Sequence, residues 1–341
     1  MLLLDSLYIN NSGGKILLDY LIEEFEKRQL AVHYLLDERV RNNHPEIFKN
    51  KVTYLEASLL KRHQFYLKNR KSFSKILCFG NLPPSVKLKA EVYTYFHQKL
   101  FLDLPKDIPF KQKVVFKIKT IIFKILKTHT DFWIVQTQAM KDDFLAKTSK
   151  LNSDEVIIVP FYPSLKKGTL ENRKKELFVY VSSGSPHKNH CNLLEAFRNF
   201  YDDKNVGELH LTIGTEFKEV NSLISKMNAE GYPIVNHGFI SRDSLGAIYG
   251  KAAFSIYPSL SESFGLGIIE AIENGCDIIG SDLPYTYAVC KPSLVFDPTK
   301  VETIVTAFQN AIEKYAQPTE QLVFNEIDKL INLLHKNENS K

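Results

Sequence analysis

Short apolar segments alternate with longer amphipathic ones along almost the whole chain, and this alternation constrains the fold more than any other feature. The first 160 residues contain seven predicted strands and four predicted helices, and the residues after 176 contain six strands and five helices. Such alternation predicts parallel sheets joined by crossover helices. The sequence therefore predicts an α/β fold in which two Rossmann-like domains face each other across a cleft.

The domain boundary is expected in a charged segment that lacks an apolar stripe. This segment, PFYPSLKKGTLENRKKE, begins at Pro160 and contains both proline and glycine. We predict an N-terminal domain over residues 1–160, a linker over 161–176 and a C-terminal domain over 177–316. Residues 317–341 are expected to form a C-terminal helix that packs back on the N-terminal domain.

Composition and charge narrow the class of protein. Apolar residues make up 44% of the 341 residues, enough for a sizeable core. The start of the chain lacks the pattern of a secretory signal, no apolar run reaches the length of a membrane span, and the four cysteines lack metal-site spacing. The cysteines are expected to be buried free thiols in a reducing cytosol. Residues 1–160 carry a net charge of +9 and the rest −4, which implies different partners for the two halves.

The stretch SESFGLGIIEAIENG, residues 261–275, places two carboxylates around a glycine-containing bend. Glu262 follows a predicted strand, and Glu270 lies on the helix that begins near Gly265. The free N–H groups of that helix start suit a phosphate, and the carboxylates suit sugar hydroxyls. The alternative is that Glu262 is a solvated loop acid and Glu270 an exposed helix residue, although the neighbours of Glu270 are apolar.

A second loop with free N–H groups, SSGSPHKN, follows the first strand of the C-terminal half. Ser183 and Gly184 let the backbone approach a ligand, and Lys188 adds a cation at the start of a helix. A plain turn with an exposed lysine is the alternative when this loop is considered alone. Together, the two loops favour binding of the diphosphate of a sugar donor.

The N-terminal half offers weaker signals. Gly13 and Gly14 follow the first strand and precede a helix, where a simple tight turn is the alternative. His97 follows a predicted strand, where a histidine hydrogen-bonds a sugar or carries a proton near neutral pH. A core histidine with satisfied hydrogen bonds is the equally weighted alternative.

These residues resemble the retaining glycosyltransferases of family 4, which have the GT-B fold. The resemblance rests on PSLSESFGLGIIEAIENG, on the loop from Ser183 to Lys188, on HGFISRDSL and on VFDP, and it is strongest between Leu177 and Pro298. It implies catalytic roles for Glu262, His97 and Lys188. The donor-binding residues it implies, with the two glycines above, are Ser183, Gly184, Lys188, Phe239, Ile240, Glu262, Phe264, Gly265, Leu266 and Glu270.

By this resemblance, Glu262 contacts the transferred sugar, Glu270 holds the ribose, and backbone groups of Phe239 and Ile240 contact the base. The chain departs from the family where an arginine usually precedes the lysine, because that region here is SSGS. This departure puts donor affinity and donor type in question. No D-x-D is present, so we expect no metal and no cofactor besides a nucleoside diphosphate sugar as co-substrate.

The expected acceptor is a glycan or lipid-linked saccharide in cell-surface polysaccharide or lipopolysaccharide synthesis. Two basic segments with interleaved apolar residues, Phe110–Lys127 and Lys61–Lys71, suit an anionic membrane surface, and solvated helix faces are the alternative. We expect no nucleic-acid partner. The protein is expected in the cytoplasm, peripheral at the inner membrane face. A GT-B sugar-nucleotide epimerase or hydrolase, or a non-catalytic sugar-nucleotide-binding protein, remain as alternatives.

Overall fold

The structure is a computed structural model that describes residues 1–97, 118, 120–148, 151–168, 173–313 and 317–335. The chain forms two compact units. Unit 1 comprises Met1–Pro163 and Phe324–Lys341, and unit 2 comprises Ser164–Val323. The chain therefore enters unit 2 inside the predicted linker and returns to unit 1 near its end.

Apolar, mostly β-branched and aromatic segments form the strands, whose side chains are largely buried on both faces as expected for parallel sheets. The strands are β1 Leu2–Asp5, β2 Val32–Asp37, β3 Lys51–Leu55, β4 Lys75–Cys78, β5 Glu91–Tyr95, β6 Phe132–Val135, β7 Val156–Ile158, β8 Lys174–Tyr180, β9 Glu208–Leu211, β10 Ile234–Asn236, β11 Ala252–Tyr257, β12 Asp277–Ser281, β13 Cys290–Lys291, β14 Leu294–Phe296 and β15 Glu320–Gln321.

Helices connect most of these strands and cover the sheets with their apolar faces. Those in the described ranges are α1 Ser12–Lys27, α2 Leu59–Lys68, α3 over residues 120–126, α4 Gln138–Lys147, α5 His190–Lys204, α6 Lys218–Ala229, α7 Arg242–Tyr249, α8 Leu266–Glu273, α9 Pro284–Tyr287, α10 Val301–Glu313 and α11 Ile327–His335.

Both units are doubly wound. Among the described residues, unit 1 contains a sheet in the order β3-β2-β1-β4-β5-β6-β7, and unit 2 a sheet in the order β10-β9-β8-β11-β12-β14. Every pair of neighbouring strands in these two sheets is parallel. The winding reverses between β1 and β4 in unit 1 and between β8 and β11 in unit 2. Ligands of such sheets bind where the winding reverses, at the carboxyl ends of the strands.

The last described helix, α11, belongs to unit 1. The backbone N–H of Glu326 donates to the carbonyl of Pro160 at 2.7 Å, and Arg28, directly after α1, forms an ion pair with Asp328 at 2.6 Å. The side chain of His335 contacts the ring of Phe25 edge-on. The segment 317–341 is not one helix, however, because Glu320–Gln321 pairs with β13 in unit 2 before the chain crosses to unit 1.

Where residues are described, the predicted strands and helices agree with the structure within a few residues at each end. The first residues of the predicted helix Lys113–Lys127 lie outside the described residues. Four expectations need correction. The linker ends earlier than predicted, because β8 begins at Lys174. Helix α1 already begins at Ser12, so Gly13 and Gly14 lie in its first turn. Cys191 is exposed, whereas the other three cysteines are buried. Arg62, expected in a basic surface patch, is buried.

Candidate functional site

The bend after β11 is built by a glycine in the left-handed region. Gly265 has φ +79°, a conformation that residues with a Cβ rarely adopt, and it is the N-cap of α8. Leu266 begins the helix, and Phe264 is buried beside it. The N–H groups of this helix start therefore lie at the carboxyl edge of the unit 2 sheet, directly after β11.

Glu262 lies in this bend and contacts the predicted cation. The Nζ of Lys188 donates to Oε1 of Glu262 at 2.5 Å, and the Oγ of Ser259 donates to the same oxygen at 2.7 Å. The hydroxyls of Ser259 and Tyr180 are 2.7 Å apart. The structure thus brings together Lys188 and Glu262, which follow β8 and β11 on either side of the point where the winding reverses. Glu262 is not a solvated loop acid.

Three hydrogen bonds hold the loop that carries Lys188. The side-chain amide of Asn189, which has φ +62°, donates to the carbonyls of Pro258 and Pro298. The backbone N–H of Leu260 donates to the carbonyl of His187 at 2.8 Å. These bonds fix the loop after β8 against the loop after β11.

Packing against a neighbouring side chain requires a glycine at position 184, in addition to the role in ligand binding predicted for Gly184. A Cβ at this position would lie 2.5 Å from Cγ of Phe217, so a larger residue would displace that ring. The hydroxyl of Ser183 lies 3.0 Å from that of Ser185 on an exposed part of the loop. The hydroxyl of Ser183 therefore remains accessible to a ligand, whereas Gly184 is required by its neighbour.

Glu270 is buried on α8 and carries a partner that the sequence did not indicate. Only 4% of Glu270 is exposed, which overturns its interpretation as a surface residue. Arg242, the first residue of α7, donates from its guanidinium to Oε1 of Glu270. Burial raises the pKa of this carboxyl, and the charge of Arg242 opposes the rise. Burial disfavours the ionised form of the Glu270 carboxyl, and the positive charge of Arg242 favours it.

His190 supports the loop after β8. Its Nε2 donates to the carbonyl of Ser183 at 2.9 Å and lies 3.1 Å from Oγ of Ser182. Burial lowers the pKa of His190 to about 4, so the ring is neutral near pH 7. His190 is therefore a residue that positions the loop after β8.

The predicted base loop lies at the carboxyl end of β10. Phe239 is 91% exposed, and Gly238 before it has φ +70°. Ile240 follows within the same loop and is partly exposed. A nearly fully exposed phenylalanine ring is costly in water, so this loop offers an aromatic surface beside the other loops of the unit 2 edge.

The remaining predicted residues lie in unit 1. The backbone N–H of His97 donates to Oδ1 of Asn81 at 2.8 Å, and its ring packs on Tyr95 and Phe79. A Cβ on Gly14 would lie 3.5 Å from Nε2 of His97, whereas one on Gly13 would meet no atom within 4 Å. The first turn of α1 and the end of β5 therefore come together.

Burial lowers the pKa of His97 to about 4. The imidazole is thus neutral near pH 7 and serves as a hydrogen-bonding group. Between the two roles expected for His97, hydrogen bonding is therefore favoured over carrying a proton near neutral pH. None of the described residues bonds its Nδ1, although that atom is buried.

Other residues of the unit 2 site were missed because they depend on contacts distant in sequence. Arg242 lies inside the HGFISRDSL motif, but its partner is 28 residues away. Tyr180 at the end of β8 and Ser259 in the loop after β11 meet only in the fold. Within the described part of the chain, no group of three or more His, Cys, Asp or Glu residues is arranged to hold a metal.

Known sequences resemble parts of this chain. It is 25% identical over 206 residues to the O-antigen chain mannosyltransferase RfbU of Salmonella typhimurium, a match that covers 59% of this chain and 56% of RfbU. It is 28% identical over 163 residues to the GtfA subunit of a UDP-N-acetylglucosamine–peptide N-acetylglucosaminyltransferase of Limosilactobacillus reuteri, covering 45% and 30%. The chain therefore spans about half, or less, of the length of these curated relatives.

Solved structures agree over almost the whole chain. Sucrose-phosphate synthase of Thermosynechococcus elongatus superimposes with a TM-score of 0.71 at 17% identity, covering 91% of this chain and 88% of that one. WaaG, a glycosyltransferase involved in lipopolysaccharide biosynthesis, gives a TM-score of 0.65 at 12% identity, covering 99% and 100%. At such identities the likeness establishes the fold alone, and the predicted GT-B fold is confirmed. The residues that form the Lys188–Glu262 and Arg242–Glu270 pairs lie within residues 162–324, which match the family of glycosyl transferases group 1.

Proposed function

We propose that this protein is a retaining glycosyltransferase of family 4 that transfers a sugar from a nucleoside diphosphate sugar to a hydroxyl of a glycan or lipid-linked acceptor. The observation that carries the proposal is the contact between Lys188 and Glu262 at the reversal point of the unit that matches the group 1 family. A cation and a carboxylate side by side suit a ligand with both phosphates and hydroxyls.

In the proposed reaction, the bond between the anomeric carbon and the diphosphate breaks while a bond to the acceptor oxygen forms, and the proton of the acceptor hydroxyl passes to the leaving diphosphate. Negative charge grows on the leaving diphosphate. Lys188 and the N–H groups at the start of α8 stabilise that charge. Glu262 accepts hydrogen bonds from the transferred sugar, and Glu270 accepts them from the ribose.

The proposed acceptor belongs to cell-surface polysaccharide or lipopolysaccharide synthesis. Support comes from RfbU, which is named an O-antigen chain mannosyltransferase, and from WaaG, which is described as acting in lipopolysaccharide biosynthesis. Two alternatives are a sugar-nucleotide epimerase or hydrolase and a non-catalytic binding protein. Conversion of the donor without any acceptor would favour the first, and tight donor binding without turnover would favour the second.

The most informative test is a thermal-shift screen of the intact protein against UDP, GDP and ADP and their sugars. A ligand at 100 times its Kd stabilises the native state by about 2.7 kcal/mol, which raises the melting temperature of the unit that binds it. We expect one base to stand out. If no nucleoside diphosphate raises the melting temperature, the proposed function is wrong.

We propose that the reaction needs no metal, because protein groups take the place of a metal beside the diphosphate. Transfer should therefore continue at full rate in EDTA. The matched control is a transfer assay with added magnesium or manganese, which should give no increase. Loss of transfer on chelation, with recovery on adding either metal, would contradict this part of the proposal.

We further propose that unit 1 contacts an anionic membrane surface at the cytoplasmic face. Three isoleucines of one helix face, Ile118, Ile121 and Ile125, are 52–64% exposed, and exposed Lys124 lies among them. The lysines expected at 113 and 117 lie outside the described residues. Within the described ranges, no helix has the length and hydropathy to cross a bilayer.

Helix α2 adds a second exposed apolar face to the same side of unit 1. Leu60 and Leu67, two turns apart, are 65% and 47% exposed. Loop residues 84–85 connect the two helices, since His63 on α2 bonds Ser85 and His129 after α3 bonds the carbonyl of Pro84. Exposed apolar side chains beside lysines favour an anionic bilayer interface over water.

Liposome co-sedimentation with and without anionic lipid tests this contact. Replacing Ile121, Lys124 and Ile125 by glutamine should release the protein, and added salt should weaken binding of the native protein. The matched control is Lys226→Gln in unit 2, an exposed lysine on α6. If the native protein ignores anionic liposomes at low salt, these helices are solvated surfaces and the acceptor is soluble.

A further inference from the structure

Each of the two carboxylates of the unit 2 site, half-buried Glu262 and buried Glu270, is paired with one cation. Lys188 pairs with Glu262, with 18% and 15% of the side chains exposed, and Arg242 pairs with Glu270, with 25% and 6% exposed. In both pairs the cation is the more accessible partner. The site thus contains two carboxylates, each of which accepts hydrogen bonds from protein donors at its Oε1.

We propose that Arg242 is the second cation of the donor diphosphate site, and that both ion pairs exchange partners when a nucleoside diphosphate sugar binds. The inference rests on the proposed function and adds a residue to it. On binding, sugar and ribose hydroxyls donate to Glu262 and Glu270. The released ammonium and guanidinium groups then bind the phosphates.

The charges of the three loops at this edge support the assignment. Residues 182–189 contain one Lys or Arg, Lys188, and residues 258–270 contain none. His187 does not add a charge near neutral pH, because burial and the neighbouring Lys188 lower its pKa. Residues 237–242 supply Arg242. A diphosphate carries more than one negative charge, so a single lysine leaves part of it unbalanced.

The chemistry of arginine fits the exchange. Its guanidinium binds phosphate oxygens in pairs, and it holds its charge at any physiological pH. Arg242 begins α7, and its long side chain reaches across to α8, so small changes of its torsion angles move the charge while the backbone stays in place. The carboxylate that it leaves does not stay unpaired, because the ribose hydroxyls replace it.

Calorimetric titration of the intact protein tests the exchange, with UDP, GDP, uridine and guanosine as probes. The measured quantity is the ratio of the Kd of the nucleoside to the Kd of its diphosphate. In Arg242→Gln this ratio should fall at least about tenfold, since a hydrogen bond between charged groups is lost. Nucleoside affinity itself should stay the same or rise, because Glu270 no longer has a competing partner.

A purely structural role for Arg242, in which it only orients Glu270, predicts a different result. Nucleoside and diphosphate would then lose affinity equally, and the unchanged ratio would overturn the proposal. Arg242→Lys should retain part of the ratio. Lys226→Gln, which removes an exposed charge on α6, should leave it unchanged.

If Arg242→Gln fails to fold because Glu270 is left unpaired, the double variant Arg242→Gln/Glu270→Gln removes the buried charge. Its nucleoside affinity should fall, and its ratio should still be reduced about tenfold relative to Glu270→Gln alone. A native protein that binds none of the four probes would overturn the proposed function as well. Binding with an unchanged ratio would overturn only the role of Arg242.

Discussion

The two units have the same strand order around their reversal points but stabilise those points with different ion pairs. In unit 1, Nε of Arg62 donates to Oδ2 of Asp5 at 2.7 Å, and 3% and 1% of these side chains are exposed. Arg62 also donates to the carbonyls of Leu82 and Pro83, so it ties the loop after β4 to the end of β1. In unit 2, Lys188 and Glu262 bridge the equivalent loops and remain partly accessible.

This difference separates a structural ion pair from one that a ligand can reach. Tyr66 also donates to Asp5, so the Asp5 carboxylate of unit 1 lies in a closed network. The Lys188–Glu262 contact is partly exposed to solvent, so the hydroxyls or phosphates of a ligand can reach either partner. The same position in the fold therefore holds a fully buried pair in unit 1 and, in unit 2, a pair that is accessible enough for the proposed binding role.

The largest expected effect tests the structural pair. Arg62→Met leaves Asp5 as an unpaired buried charge, which should lower the free energy of unfolding by about 3–5 kcal/mol. The neighbouring exposed Lys61→Met is the matched control and should change it by less than about 1 kcal/mol. Denaturant titration measures both. Equal effects of the two variants would mean that the unit 1 pair is not the structural one.

The next largest effect tests the accessible pair of unit 2. Glu262→Gln keeps the size of the side chain and removes its charge, and turnover should fall about 100-fold, equivalent to about 2.7 kcal/mol of activation free energy. The melting temperature should hardly change, in contrast to Arg62→Met. Steady-state kinetics with Glu230→Gln as an exposed control checks this. Turnover within tenfold of native would remove Glu262 from the catalytic residues.

Glu270→Gln should act on binding more than on turnover. The amide still accepts one hydrogen bond from the ribose but lacks the negative charge, so donor affinity should fall about tenfold, or about 1.4 kcal/mol. The value of kcat should remain close to native. Calorimetry and kinetics on the same preparation separate the two effects. A large loss of kcat with unchanged affinity would exchange the roles given to Glu262 and Glu270.

The smallest effect is the contribution of His190 in unit 2 to the pH dependence of the free energy of unfolding. Burial lowers the pKa of His190 to about 4, so between pH 6.5 and 4 the unfolded chain binds a proton that the folded chain does not. Stability contributed by the neutral ring is therefore present above pH 6.5 and is lost as the pH falls. His190→Gln should lose about 1 kcal/mol less than native between pH 7.5 and 5.5. Identical losses in native protein and variant, measured by denaturant titration, would mean that the ring protonates freely.

The candidate donor site of unit 2 could be predicted because the residues that form it lie in local sequence patterns. Lys188 and Glu262 each follow a strand that is recognisable from its apolar residues, and Gly265 marks the bend between Glu262 and the next helix. Parallel strands bring their carboxyl ends to one edge. Sequence order was therefore enough to place these residues together.

The network of unit 1 could not be predicted, because charge alone does not show which face of a helix is buried. Arg62 appeared as one cation of a basic segment, yet it faces inward beside Tyr66 on α2. Its partner, Asp5, is 57 residues away. The lowered pKa of His97 could not be predicted either. It follows from burial against Phe79 and Tyr95, which depends on the fold and not on the neighbours of His97 in sequence.

Hydrogen exchange of the intact protein, with and without a saturating nucleoside diphosphate, tests the central claim most directly. If unit 2 binds the donor through its accessible ion pairs, amides in residues 182–190, 237–242 and 258–270 should become more protected. The network around Asp5 and Arg62 should exchange as slowly with ligand as without it. Protection confined to unit 1, or absent from these three segments, would contradict the account.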